Sequence, residues 1–379
     1  MVKRYSAMEN MAVINKDYWT DKKVLVTGHT GFKGGWLCLW LKQLGSIVTG
    51  YALPPEKEND LYYAANVAGV LQKSVYGDVR DLELLKKHVT EAQPEVVFHL
   101  AAQPIVRKSY QDPLETFSTN VMGTANLLQV CRELTCLKAI VVVTTDKCYQ
   151  NQEWHWGYRE TDHLGGYDPY SSSKACAELV TAAYRKSYFQ RSGGNDSATG
   201  VATARAGNVI GGGDWSSDRL IPDCFRAAQQ ASSIQIRHPM ATRPWQHVLE
   251  PLRGYLMLAE RLAADAKHFS EAFNFGPRDE DVVSVQAILE KINQRLPNPL
   301  NWAADKNEHP PETNLLKLDI SKANASLGWQ PKLNLDKALD LTVDWYDAVS
   351  KGKDVAALTN AQIAEYQRYS NLINGRSHV

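Results

Sequence analysis

The sequence predicts an α/β fold: a Rossmann-type doubly wound parallel sheet with a smaller C-terminal substrate-binding α/β region. Three observations predict it. Lys23-Val24-Leu25-Val26-Thr27-Gly28 reads as a buried parallel strand that runs through the glycine loop Gly28-His29-Thr30-Gly31-Phe32-Lys33-Gly34-Gly35 into the apolar helix Trp36-Leu37-Cys38-Leu39-Trp40-Leu41. Short apolar runs then alternate with helix-like stretches as far as Ala204, as repeated β-α units do. The residues equipped for chemistry fall just after those runs, where open α/β sheets bind their ligands.

The elements follow in order. Ile47–Leu53 is the second strand, stopped by Pro54-Pro55. Ser74-Val75-Tyr76-Gly77 leads to Asp78-Val79-Arg80-Asp81 and a helix that runs toward Pro94. Val96–Leu100 and Ala139–Val143 are the fourth and fifth strands, with one helix expected from Pro113 to Leu134 between them. A second long helix spans Tyr170 to Phe189, and Val201–Ala204 is a sixth strand. From about Gly211 the alternation loosens. Phe273-Asn274-Phe275-Gly276 resembles one more strand end, and Gly328-Trp329-Gln330-Pro331 ends a short helix. The expected division is 18–210 for dinucleotide binding with the catalytic helix and 211–350 mainly for substrate. Residues 1–17 and 351–379 are left as terminal extensions.

Composition excludes several classes of function. Lys plus Arg and Asp plus Glu balance at 42 each, so no global field points to nucleic acid. No run reaches the roughly 20 apolar residues of a membrane span, and Met1 to Asn15 lacks the apolar core of a signal peptide. The six cysteines show no metal spacing, and reduced thiols in the cytoplasm are expected.

The chemistry is read from two couples. Tyr170 and Lys174 are four residues apart, which puts phenol and ammonium on one helix face, where the cation favours the phenolate. Tyr-x-x-x-Lys alone is common on ordinary helices, and the glycine loop gives it weight. There Gly28 permits the tight turn, Gly31 lets backbone amides approach a pyrophosphate, and Gly34 allows close helix-to-strand packing. Thr145-Asp146-Lys147, at a strand's end, adds a second acid/base couple. Alcohol oxidation needs only the first couple; a reaction that also removes water needs both. His29 is open between packing and catalysis. Arg205, Arg219 and Arg243 are each open between solvation and function, while Trp36 and Trp40 are core.

Taken together, Thr27–Gly34, Asp78–Asp81, His99-Leu100-Ala101-Ala102-Gln103-Pro104, Thr145-Asp146-Lys147 and Tyr170…Lys174 resemble the extended short-chain dehydrogenase/reductase superfamily, and within it the CDP-glucose 4,6-dehydratases. The subfamily resemblance rests on His29, Lys147, Gly211-Gly212-Gly213-Asp214-Trp215 and Arg243-Pro244-Trp245-Gln246-His247. It implies NAD as cofactor, held by Gly28, Thr30, Gly31, Phe32, Gly34, Asp78, Val79, Leu100, Ala101, Ala102, Tyr170 and Lys174. It implies catalysis by Thr145, Asp146, Lys147, Tyr170 and Lys174, with support from Asn120. CDP-glucose would meet His29, Gln103, Asn208, Arg219 and Arg243, with no metal, in a cytoplasmic homodimer or homotetramer. Two departures stand out. The end of the second strand, Tyr51-Ala52-Leu53-Pro54, lacks the carboxylate usual for an NAD ribose, and Lys147 occupies a place where dTDP-glucose dehydratases carry glutamate. A 4-epimerase or reductase of the same superfamily, and a non-catalytic dinucleotide-binding protein, are the alternatives.

Overall fold

The structure, a computed structural model, describes residues 13–190, 198–305, 307 and 313–374. Residues 1–12 and 375–379 of the expected extensions lie outside the described residues. Seven parallel strands make one sheet: β1 (Lys23–Thr27), β2 (Ile47–Ala52), β3 (Lys73–Tyr76), β4 (Val96–His99), β5 (Ala139–Val143), β6 (Gly200–Ala206) and β7 (Ala272–Phe275). Their order is β3-β2-β1-β4-β5-β6-β7. Side chains alternate faces with period two. Val24, Val26, Phe98 and Val141 enter one core, while Leu25, Val97, Ile140 and Val142 enter the other. Both faces are therefore covered, which is why the strands read as continuous apolar runs. The strand order reverses between β1 and β4, so the loops leaving their carboxyl ends diverge and open a crevice.

The helix that follows β1, α1 (Phe32–Gln43), is buried all round from Gly34 to Leu41. It packs on the sheet and is covered by the last helix, which explains an apolar stretch with no polar stripe. The helices α2 (Leu82–Ala92) and α3 cover the other face; α3 runs Pro113–Phe117, then a π-turn Ser118–Met122, then Gly123–Cys131. The sequence expects one regular helix there. The π-turn carries Asn120, whose buried amide bridges Gln103 and Ser173, so the extra residue per turn is tied to inward hydrogen bonding. The helix α4 (Pro169–Tyr184) follows β5.

Beyond β6 the chain adds three two-stranded pairs, of which Thr242–Pro244 with Val282–Ser284 is antiparallel. It also adds the helices α5 (Leu220–Gln229), α6 (Leu249–Ala264), α7 (Leu335–Ser350) and α8 (Val355–Asn374). The strand end expected at Phe273 is the sheet's seventh strand, with Phe273 opposite Ala204. This part shares one core with the sheet, since Trp36, Phe275, Trp329 and Trp345 belong to a single cluster. Within the expected C-terminal extension, α8 lies against α1: Trp40 meets Tyr366 edge-on at 5.7 Å and Gln43 Nε2 donates to Asn360 Oδ1 at 2.9 Å.

Candidate active site

The glycine loop is set by close backbone approach. Gly28 has φ +78°, and a Cβ on it would stand 2.7 Å from the Ala101 amide nitrogen. A Cβ on Gly34 would collide with the Gly28 carbonyl oxygen, so α1 starts against the end of β1 only because both are glycine. Gly31 caps α1 without a side-chain hydrogen bond, which leaves the first-turn N–H groups directed at an anion. Thr30 Oγ1 donates to the Leu53 carbonyl at 2.9 Å and ties the loop to the end of β2. Ala101 N donates to Thr27 Oγ1 at 3.3 Å, so Leu100, Ala101 and Ala102 lie beside the loop. Asp78 follows β3 and is gripped by Arg80, whose guanidinium holds its carboxyl below the usual range. Val79 is buried beneath α3.

The second group gathers at the ends of β5 and β6. Thr145 caps a 3-10 turn, Asp146–Cys148, and its Oγ1 donates to Asp146 Oδ1 at 3.0 Å. Tyr170, in the first turn of α4, hydrogen-bonds Thr145, and its neighbours include the charges of Asp146 and Arg219. Asp146 is 2% exposed, and its Oδ2 has no partner among the described residues. Burial raises its carboxyl above the usual range; the nearby Lys147, Thr145 and Arg243 only oppose this. A buried acid with one free oxygen is equipped to donate a proton. Lys174 Nζ donates to the Val143 carbonyl at 3.3 Å. Burial lowers its ammonium to about 8, with Glu178 opposing.

The phenol of Tyr170 departs from the sequence expectation. Burial pushes it up to about 12, opposed by Thr145 and Arg219. Lys174 lies four residues along the helix, yet its ammonium turns to a backbone carbonyl.

Two networks fix these side chains. Asn120 Oδ1 accepts from Gln103 N at 2.8 Å, its Nδ2 donates to Ser173 Oγ at 2.8 Å, and Ser173 Oγ donates to the Tyr170 carbonyl at 2.7 Å. Glu178 lies one turn beyond Lys174. It accepts from Thr144 at 2.5 Å, Thr203 at 2.7 Å and Arg205 at 2.7 Å, which pins α4 to β5 and β6. Arg205 is thereby a buried structural cation rather than a solvated one.

A protein-family model described as GDP-mannose 4,6 dehydratase matches residues 25–342. The chain belongs to this family. A CDP-glucose 4,6-dehydratase from Salmonella typhimurium is 48% identical over 354 residues, covering 93% of this chain and 98% of the relative. Among solved structures, the epimerase Mth375 of Methanothermobacter thermautotrophicus superposes with TM-score 0.75 at 22% identity, covering 92% of this chain and 97% of that one. A UDP-glucuronic acid 4-epimerase from Bacillus cereus, in complex with UDP-glucuronic acid and NAD, gives TM-score 0.73 at 22% identity, with coverage of 86% and 99%. At that identity the two structures speak for the fold.

Within this family frame, the structure brings together Thr145, Asp146, Tyr170, Lys174 and Arg219, with the Arg243 and Lys147 charges acting on Asp146. Asn208 follows Gly207, on which a Cβ would stand 2.7 Å from Asp146 Oδ2, and its carbonyl accepts from Gln246 N at 3.0 Å. Two residues expected to meet the substrate go elsewhere. His29 is buried against Gly50 and Tyr62, with Nε2 2.7 Å from Ser74 Oγ, and burial lowers its imidazole to about 4. The shape of the loop at β2 demands a packed ring there. Gln103 spends its side chain on its own loop: Nε2 donates to Thr116 Oγ1 at 2.8 Å and Oε1 accepts from Ile105 N at 2.6 Å. Three further residues have no role in the sequence reading. Glu178 sits at helical spacing from Lys174 and was readable on that ground. Lys33 is a cation at an otherwise apolar helix start. Tyr255 gives no signal within a helix that reads as core.

Proposed function

We propose that this protein is a nucleotide-sugar 4,6-dehydratase that converts CDP-glucose to CDP-4-keto-6-deoxyglucose and water with NAD, as a cytoplasmic homo-oligomer in deoxysugar biosynthesis of the O-antigen type. The observation that carries the reading is Asp146: a buried acid with an open oxygen beside Tyr170, which loss of water requires and alcohol oxidation alone does not. The glycine cradle, which a Cβ would fill, suits a dinucleotide diphosphate; Lys174 would hold the nicotinamide ribose, and Asp78 with Val79 would face the adenine. Bound there, NAD would supply reversible hydride transfer, oxidation at C4 and reduction at C6, with no net consumption of cofactor.

The chain's own groups move the protons. Tyr170 accepts the C4 hydroxyl proton, helped by Thr145 and Arg219. The resulting 4-ketone acidifies the C5 hydrogen, which an amine at Lys147 removes. Asp146 donates to the C6 hydroxyl as it leaves as water, and the C5 proton is restored when C6 is reduced. Incubation with CDP-glucose tests the reading: a product lighter by one water supports it. An isomeric product points to an epimerase, and recovery of unreacted substrate to a binding protein.

Arg219 and Arg243 differ in how free they are to hold the substrate diphosphate. Arg243 is buried and donates to the Thr242 and Thr313 carbonyls at 2.9 and 2.7 Å, whereas Arg219 is one-third exposed at the start of α5 and meets Asp214 only at 3.4 Å. Arg219→Lys keeps the charge and loses the guanidinium fork. Its expected effect is a roughly tenfold loss of CDP-glucose affinity, with NAD affinity unchanged; an equal loss of both assigns Arg219 to the fold.

The helices α3 and α4 expose Leu114, Met122 and Leu179, at 80%, 55% and 59%. They are the faces through which an isologous homodimer would form. Light scattering at micromolar concentration should give at least twice the mass of the 42.4 kDa chain, and a strict monomer contradicts this assembly.

A further inference from the structure

Gly207 follows the end of β6, and its own backbone does not call for glycine. Its φ lies outside the left-handed region, and the residue is only half-buried. Contact is what excludes a side chain. A Cβ at this position would stand 2.6 Å from Pro244 Cγ and 2.7 Å from Asp146 Oδ2, well inside the roughly 3.5–4.0 Å of an ordinary carbon contact. The two neighbours are held differently. Pro244 is buried at the end of the strand Thr242–Pro244, opposite Val282 in an antiparallel pair. Asp146 Oδ1 accepts from Thr145 Oγ1 at 3.0 Å, whereas the buried Oδ2 has no hydrogen-bond partner among the described residues. The oxygen that lies against Gly207 is therefore the one left to serve the departing hydroxyl.

We infer that Gly207 is a positioning residue for the loss of water: its bare Cα seats the Asp146 carboxyl so that Oδ2 meets the C6 hydroxyl. This role rests on the dehydratase reading. In that step the Asp146 proton passes to the C6 oxygen and the C6–O bond breaks. The electron pair left at C5 closes the C5–C6 double bond, and water departs. A methyl group at 207 would press on a ring fixed in a paired strand and on a carboxyl that can turn. The carboxyl gives way, because rotation about its Cβ–Cγ bond clears the methyl without moving backbone. Oδ2 then leaves the path of the hydroxyl, and a misplacement of about 1 Å costs a step that needs aligned groups about 10²-fold. Tyr170 keeps its hydrogen bond to Thr145, so oxidation at C4 is spared.

Single turnovers of CDP-glucose in deuterated water test this in the wild type, Gly207→Ala, Asp146→Asn and the variant carrying both changes. NADH absorbance, C5 deuterium and loss of water are followed together. In Gly207→Ala, NADH formation and C5 exchange should stay near the wild-type rates while loss of water slows by about 10²-fold. Asp146→Asn should show the same selective loss. Adding Gly207→Ala to it should cost nothing further, since both changes act on one group. Undiminished water loss in Gly207→Ala, or a double variant slowed by the product of the two effects, overturns the inference. A matching loss of C5 exchange or of CDP affinity also overturns it and assigns Gly207 to the shape of the Arg243-Pro244 turn. Should Gly207→Ala fail to fold by circular dichroism, Gly207→Ala/Pro244→Ala decides when compared with Pro244→Ala alone. The ring is then gone, the contact with Asp146 remains, and the same selective loss is expected. A wild type that returns an isomer removes the dehydratase reading and this role together. A wild type that dehydrates beside an unaffected Gly207→Ala removes the role of Gly207 alone.

Discussion

Tyr170→Phe is expected to bind NAD and CDP-glucose and yet to produce no NADH absorbance in a single turnover, with the rate falling by about 10²–10⁴-fold. The phenyl ring keeps the packing of a side chain that is 9% exposed and deletes only the proton acceptor. Thr145 and Arg219 favour the phenolate at this position, and burial opposes it. The substitution therefore removes the group on which both influences act. NADH formation near the wild-type rate would show that Tyr170 is not the base for C4 oxidation.

The second large effect is expected at the elimination step. Lys147→Ala should still reduce bound NAD with CDP-glucose, whereas exchange of the C5 hydrogen with deuterated solvent should slow by about 10²–10⁴-fold. Asp146→Asn should also allow the first hydride transfer and then stall, because an amide cannot donate the proton that the departing C6 hydroxyl needs. Asp146 reaches the elimination already biased toward its protonated form, since burial outweighs the neighbouring cations. Wild-type C5 exchange in Lys147→Ala would remove Lys147 from the base role. His29 cannot replace it, being bonded to Ser74 under β2 and away from the catalytic group.

Much of the sheet was legible because its strands are buried on both faces. Val24–Val26 and Ala139–Val143 carry apolar residues at every inward position of either core, and such runs need no partner to be read as strands. The glycine loop was legible because Gly28 and Gly34 are required by close backbone contacts that a Cβ would not tolerate. Other features depended on contacts distant in sequence. The π-turn at Asn120 exists because its amide reaches Gln103 and Ser173, and neither pairing leaves a periodic trace. His29 and Gln103 carry polar groups suited to ligands, but folding spends them on Ser74, Thr116 and a backbone amide. Helical spacing likewise gives the Lys174 position but not the direction of its ammonium, which donates to the Val143 carbonyl.

The central claim is that one site both oxidises at C4 and eliminates water across C5 and C6, and the fate of a label tests it most directly. CDP-glucose deuterated at C4 should yield a product lighter by one water, with the deuterium at C6 and a solvent-derived hydrogen at C5. Deuterium found again at C4 in a product of unchanged elemental composition would contradict the account and make the protein an epimerase.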